Sequence, residues 1–232
     1  SEDNRMAFYE RRYKWFLIFP SFLLVGALTF IPILLSFMYS FTSFRYGSEM
    51  TFVGLENYVR LFADLRFTRS AQNTCFIVGL GVLFEFLIGF GLALAANAEL
   101  KGMRIFRGLL ILPMILPPIA IAMVFRLILT PHGMVNYLWG VLIGDPSIII
   151  GWTTNVNVAI YTIIALETWM NAPFMFACLL SGLQSLPREP FESARVDGAS
   201  RLQVFRHITL PLMMSVIVAT VLLRVVWGFS IF

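Results

Sequence analysis

Residues Glu192–Pro211 read ESARVDGASRLQVFRHITLP and lie between two long apolar runs, Val158–Leu183 and Leu212–Phe232. Apolar runs of that length cross a bilayer as helices, at about 1.5 Å rise per residue and roughly 20 residues per crossing. A charged stretch between two crossings is held out to water, where a soluble partner reaches it. Its own chemistry spells a helix, a turn and a second helix. Pro187 ends the preceding run, because proline lacks a backbone donor and restrains the residue before it, and Pro190 opens a short new helix at its first position. Glu189 and Glu192 stand near the positive end of that helix, and Ser193 and Ala194 give it a small-residue patch. Gly198 supplies the left-handed conformation for a sharp turn. Ser200 to Gln203 then forms a capping box, Leu202, Phe205 and Ile208 share one exposed apolar stripe, and Pro211 allows a bend into the next run. Such a unit suits a groove in another subunit. The residues alone equally allow an ordinary loop folded on its own bundle.

Outward from that stretch, the chain is apolar throughout. Its 232 residues are 59% hydrophobic and only 13% charged, with a mean hydropathy of +0.82, more apolar surface than one soluble core hides. Three more runs, Trp15–Phe41, Gln72–Ala98 and Gly108–Leu129, bring the spans to five. The expected fold is an all-α polytopic helix bundle, a single membrane domain over 1–232 with an N-terminal segment 1–14 and a loop segment 187–211. The first run lacks a cleavage-site pattern and is read as an anchor. Because the last run ends at Phe232 without a polar residue after Ser230, a sixth span is expected beyond this sequence.

Charge sets the orientation. Eleven Lys and Arg, in the N-terminal segment, around Lys101–Arg107 and between Arg188 and Arg206, face four in Arg45–Arg69, while Thr130–Asn157 has none. By the positive-inside rule the N-terminus and the 187–211 loop are cytoplasmic. The net charge of +4 is therefore a topology signal and not a nucleic-acid footprint. In the first outer loop Leu55, Tyr58, Val59 and Phe62 recur at helical spacing, for a short helix lying on the membrane surface or packed on the protein. Cys75 and Cys178 sit inside apolar runs without metal-ligand spacing and read as inert thiols, so no metal site is expected.

Charged groups within spans are costly in hydrocarbon and face a bundle interior or a water-filled cavity. They are Glu85, Arg126, Glu167 and Arg224. Arg126 reads as snorkelling to the outer interface, and Glu85 as a hydrogen-bonded packing residue. Glu167 is followed by Trp169, Asn171 and Pro173, a mixture of carboxylate, amide and aromatic ring that suits a sugar. The candidate substrate path is thus Glu167, Trp169, Asn171, Arg224 and Glu85, with an internal Glu167–Arg224 ion pair as the competing reading. Pro32, Pro113, Pro117, Pro118 and Pro173 interrupt spans, by packing kinks or by breaks that open a cavity. Gly79, Gly81, Gly89 and Gly91 mark helix packing. No G-x-x-x-x-G-K-[ST] phosphate loop occurs, and His132 and His207 lie outside the spans and far apart, so nucleotide hydrolysis by this chain is not expected.

The 187–211 segment resembles the EAA signature of binding-protein-dependent ABC transporter permeases, E-A-A, three residues, G, nine residues, I-x-L-P. Glu192, Ala194, Gly198, Ile208, Leu210 and Pro211 fall in register, Asp197 precedes the glycine, and Ser193 replaces the second letter. FVGLENYVRLF at Phe52–Phe62, Asn73-Thr74, Leu112-Pro113, and Trp169 with Pro173 and Phe174 are similar to the sugar-permease branch. The resemblance implies that Glu192, Ser193, Ala194, Asp197, Gly198, Ala199, Leu202, Phe205, Ile208, Leu210 and Pro211 dock a cytoplasmic ATPase. It also implies ATP and Mg bound by that partner, a second permease of a different chain, an extracytoplasmic solute-binding protein, and a bacterial or archaeal plasma membrane. An ion-coupled secondary transporter or channel and a membrane anchor for a soluble partner are the alternatives; the sugar itself is not encoded in any motif.

Overall fold

With no water to bond to inside hydrocarbon, a chain must close its backbone hydrogen bonds internally, and this one does so almost entirely as helix. The computed structural model describes residues 2–44, 49–97 and 103–231. Packing divides the chain into two units, Ser1–Arg69 and Ser70–Phe232.

In the first unit, α1 (Glu2–Ser40) contains the apolar stretch Trp15–Ser40 and passes through Pro20 and Pro32 without ending. It is helical from Glu2, ahead of the run expected to start at Trp15. A two-residue antiparallel ladder follows, β1 (Thr42–Ser43) with β2 (Thr51–Phe52), in register Thr42 to Phe52. The expected outer-loop helix is α2 (Glu56–Ala63). It is tied to the end of α1: Asn57 Nδ2 donates to the carbonyls of Ser40 and Thr42 at 2.9 and 3.0 Å, and Tyr58 and Ser40 share a 2.6 Å hydroxyl bond. These bonds satisfy carbonyls that a helix end leaves without partners. Leu55, Val59 and Phe62 stay exposed, an apolar edge fit for the membrane surface.

The second unit holds the body of α3 (Leu65–Ala96), then α4 (Met103–Ile115), α5 (Pro118–Ile128), α6 (Met134–Ile143), α7 (Val156–Gln184), α8 (Glu189–Val196), α9 (Arg201–Val204) and α10 (Leu210–Ile231). Its core joins Val78, Val82, Phe90 and Ala93 of α3 to Met175, Phe176, Leu179 and Leu183 of α7, with Met213 of α10. Gly89 makes a close approach between helices. A Cβ there would lie 2.5 Å from Met175 Cβ and 2.9 Å from the Phe176 nitrogen, so α3 meets α7 backbone to backbone. The close approach read for four glycines is seen at Gly89; at Gly79, Gly81 and Gly91 a Cβ would meet nothing within 4 Å, although Gly81 is itself buried.

Four helices are long and apolar enough to cross a membrane, and five crossings result if one bent pair is counted as a span. That pair corrects the continuous third span expected over Gly108–Leu129: α4 and α5 are bent by 89°. Neither half is long enough alone, at about 20 and about 16 Å, for a core about 30 Å thick. The cause is Pro117-Pro118. Pro118 pushes Pro117 into an extended conformation with ψ 129°, and neither residue has an N–H to carry the helix on. Pro113 and Pro173, each flanked by helix-forming neighbours, remain inside α4 and α7. The loop Thr130–Asn157 contains α6, a short apolar helix the sequence did not announce. Buried Asn136 pins it, with Nδ2 on the carbonyls of Thr130, Pro131 and Ile150 and Oδ1 accepting from Ile150 N and Trp152 Nε1.

Candidate functional site: the loop and the buried ion cluster

The 187–211 segment builds itself from local rules. α7 stops at Gln184, with Ser185 Oγ on the Gly182 carbonyl at 2.8 Å, and Pro187 lies beyond it. α8 begins after Arg188, with Pro190 at the second and not the first helical position and Glu189 and Glu192 in the first turn. It ends in a Schellman turn: Gly198 N–H donates to Arg195 O at 3.2 Å and Ala199 N–H to Ala194 O at 2.9 Å. Gly198 sits at φ +70°, the left-handed conformation its position called for, and a Cβ there would meet nothing within 4 Å. The capping box is formed as read, Ser200 N on Gln203 Oε1 at 2.8 Å and Gln203 N on Ser200 Oγ at 3.4 Å.

Pro211 behaves differently from the expected bend. An α-helical proline there would press its ring on the carbonyl of His207, four residues back. The chain widens instead into a π-helical turn, Phe205–Thr209, in which Leu210 N–H donates to Phe205 O. The helix therefore passes Pro211, and Arg201–Ser230 forms one 30-residue stretch. The predicted apolar stripe is also split. Leu202 is 74% exposed, whereas Phe205 turns inward with its ring 6.1 Å from that of Phe90, and Ile208 and Leu210 are half-buried. The residue missed is Val196, 88% exposed on the last turn of α8, an apolar side chain in water beside the Gly198 turn. Glu192, Ser193, Asp197 and Pro211 are exposed, Ala199 is half-buried and Ala194 is buried against the unit.

The charged residues of the spans regroup. Arg224 on α10 grips Glu85 on α3 with two parallel bonds, Nε to Oε2 at 2.7 Å and Nη2 to Oε1 at 2.6 Å, and the two are 3% and 1% exposed. The Glu167–Arg224 pair is present as the longer contact of the same arginine: Glu167 Oε2 stands 3.9 Å from Nη2, 18% exposed, and takes its hydrogen bond from Asn171 Nδ2 at 2.9 Å. Two-point binding in a dry site outweighs a single contact at that distance. Glu85, Glu167 and Arg224 border a void of about 10 Å³, and the cluster ties α3, α7 and α10 together.

Trp169 is on the other side. Two residues along a helix turn about 200°, so Trp169 leaves the Glu167–Asn171 face. It packs edge-on to Phe125 at 5.5 Å, 45% exposed, and borders an apolar cavity of about 750 Å³ between α3, α4 and α7. Arg126 is exposed on the last turn of α5. Among the described residues no group of three or more His, Cys, Asp or Glu is arranged to hold a metal.

A bundle with one broken span, a buried ion pair and a helical loop fused to the last helix describes a membrane transport subunit. Residues 86–232 match the family described as binding-protein-dependent transport system inner membrane component, and the chain belongs to it. It is a multi-pass inner-membrane component of an ABC transport system. The probable ABC transporter permease protein y4oQ of Sinorhizobium fredii is 32% identical over 200 residues, 84% of this chain and 63% of the relative, so less than two thirds of that protein is spanned. The trehalose/maltose transport system permease protein MalF of Thermococcus litoralis is 29% identical over 231 residues, 99% of this chain and 77% of the relative. A solved bacterial ABC transporter involved in the import of the acidic polysaccharide alginate shares the fold with a TM-score of 0.77, at 22% identity over 95% of this chain and 75% of that one.

Proposed function

We infer that this chain is the permease subunit of an ATP-driven ABC importer that moves a sugar or related small polar solute inward by alternating access. The observation that carries the reading is the construction of the loop. α8 is locked by the Schellman turn at Gly198 to a capped helix that runs through a π-turn into α10, so a displacement imposed on α8 reaches a span without a slack joint. Rigid-body transmission of that kind is how a small movement at one site opens or closes another.

The force comes from a separate cytoplasmic ATPase, which binds and hydrolyses ATP with Mg; this sequence has no phosphate loop to do so. Val196 and Leu202 are the apolar contacts offered to its groove, framed by Glu192, Ser193, Asp197 and Gly198. A second permease of a different chain completes the path, an extracytoplasmic binding protein delivers the solute, and the N-terminus is cytoplasmic. The sugar class rests on MalF of Thermococcus litoralis, named for trehalose and maltose, and on the sugar-permease motifs. Trp169 offers a ring face at the cavity between α3, α4 and α7, and on the opposite face of α7 Glu167 with Asn171 offers hydrogen-bonding groups at the edge of the ion cluster, where Glu85 and Arg224 serve as the clamp.

The test is purification from the native host with associated chains, then reconstitution and ATPase assay with a panel of mono- and disaccharides and glycerol phosphate. A stoichiometric ATPase stimulated by one sugar, in the presence of its binding protein, is the expected result. Uptake that follows an ion gradient with no ATPase bound, or a complex with no solute response, would overturn it.

A further inference from the structure

We propose that the polar cavity at the cytoplasmic ends of α3, α4 and α7, under α8, binds an anionic phosphate group. The cavity measures about 750 Å³ and is lined by Arg107, Arg188 and Arg195 together with Asn97 and Gln184; among the described residues Glu192 is its one acidic lining residue. That size lies in the range of small-ligand pockets. Among the described lining residues three guanidinium groups stand against one carboxylate. Among the described residues none of the three arginines forms an ion pair.

Arg107 is the best-placed anchor. One of its donors, Nη2, binds the Ala96 carbonyl at the end of α3 at 2.6 Å, which fixes the side chain, while its buried Nε has no partner among the described residues. A buried donor without an acceptor is destabilising, and an incoming oxygen anion would satisfy it. Arg188 stands at the start of α8, where the helix end adds positive potential, and Arg195 stands on its last turn. Guanidinium forks match phosphate oxygens, and a tetrahedral phosphate offers acceptors in more directions than a planar carboxylate.

Depth decides where such a group would come from. The lining sits where α3 and α7 end, and basic pockets between spans on the cytoplasmic side take anionic lipid headgroups. A phosphorylated solute in the cytoplasm carries the same chemistry, so both sources are tested. The inference does not depend on which solute crosses the membrane.

The full complex is placed in nanodiscs of phosphatidylcholine, with or without phosphatidylglycerol, and retained lipid is counted by native mass spectrometry. In parallel, inorganic phosphate and glycerol 3-phosphate are titrated onto the phosphatidylcholine sample while thermal stability is followed. Saturable retention of phosphatidylglycerol assigns the lipid source, and saturable stabilisation by soluble phosphate assigns the free one. In either arm R107Q, R188Q and R195Q should each weaken binding about fivefold. R206Q, which removes a cytoplasmic arginine outside the lining, should leave it unchanged. R188Q and R195Q alter exposed residues and keep the test valid if R107Q does not fold. No binding in either arm, as when an ATPase side chain fills the cavity, or equal loss in R206Q, would overturn the proposal.

Discussion

At Gly198 the constraint is backbone alone. The site has open space for a side chain, so a substitution there meets no neighbour, but an L-residue held left-handed costs about 1–2 kcal/mol, and a β-branched one fits that region worst. Gly198→Val should therefore insert and accumulate normally while uptake is abolished, and Gly198→Asn, tolerant of that conformation, should retain most uptake. Normal transport in the valine variant at normal abundance would end the coupling role. The Glu85–Arg224 pair obeys a different rule. Breaking a buried pair strands a charge and costs about 3–5 kcal/mol, whereas replacing both members by apolar groups is often neutral. Glu85→Leu and Arg224→Leu should each lower the unfolding midpoint strongly, the double variant should recover most of the loss, and Glu167→Gln should cost less than either. Additive losses in the double variant, read by thermal unfolding in detergent, would show that the pair is not coupled.

Between elements, α3 and α7 cross at one close point, Gly89. Gly89→Leu would drive a Cβ into Met175 and the Phe176 backbone, and overpacking of that kind costs about 1–3 kcal/mol or more. Gly91→Ala, facing open space two residues on, should be close to neutral. Thermal stability of the two purified variants checks the contrast; equal midpoints would place the α3–α7 approach elsewhere. The prolines teach a related lesson. Pro117-Pro118 breaks a span, yet Pro173 does not, although each removes one backbone donor; two in succession leave a gap that one turn cannot bridge, while a single proline leaves the rest of the ladder intact. The π-turn before Pro211 is a third solution to the same problem, and it turns an expected hinge into a continuous helix.

For the whole molecule, the exposed pair Val196 and Leu202 is what the loop presents outward. If a partner ATPase closes on them, Val196→Asp and Leu202→Asp should each weaken its retention about thirtyfold, the size expected for an apolar anchor worth about 2 kcal/mol. Pull-down of the complex at graded salt and detergent measures it. Undiminished ATPase recovery from both variants would move the docking surface away from this face. The same loop joins α7 to α10 within one packed unit, so its movement and theirs are linked through the core that Met213 shares with Leu179 and Leu183.

Helical turns, caps and membrane runs could be read from the residues because each is satisfied within a few positions: Ser200 meets Gln203, Ala199 meets Ala194, and an apolar run answers to the bilayer and not to other parts of the chain. Other features need partners that lie far apart. Arg224 and Glu85 are separated by 139 positions; the sequence suggested Glu167 as the partner of Arg224, and packing gives the two-point bond to Glu85. The burial of Phe205, the exposure of Val196 and the gathering of Arg107, Arg188 and Arg195 around one cavity follow from which helix faces meet, a choice made by the fit of whole elements and invisible to any local window.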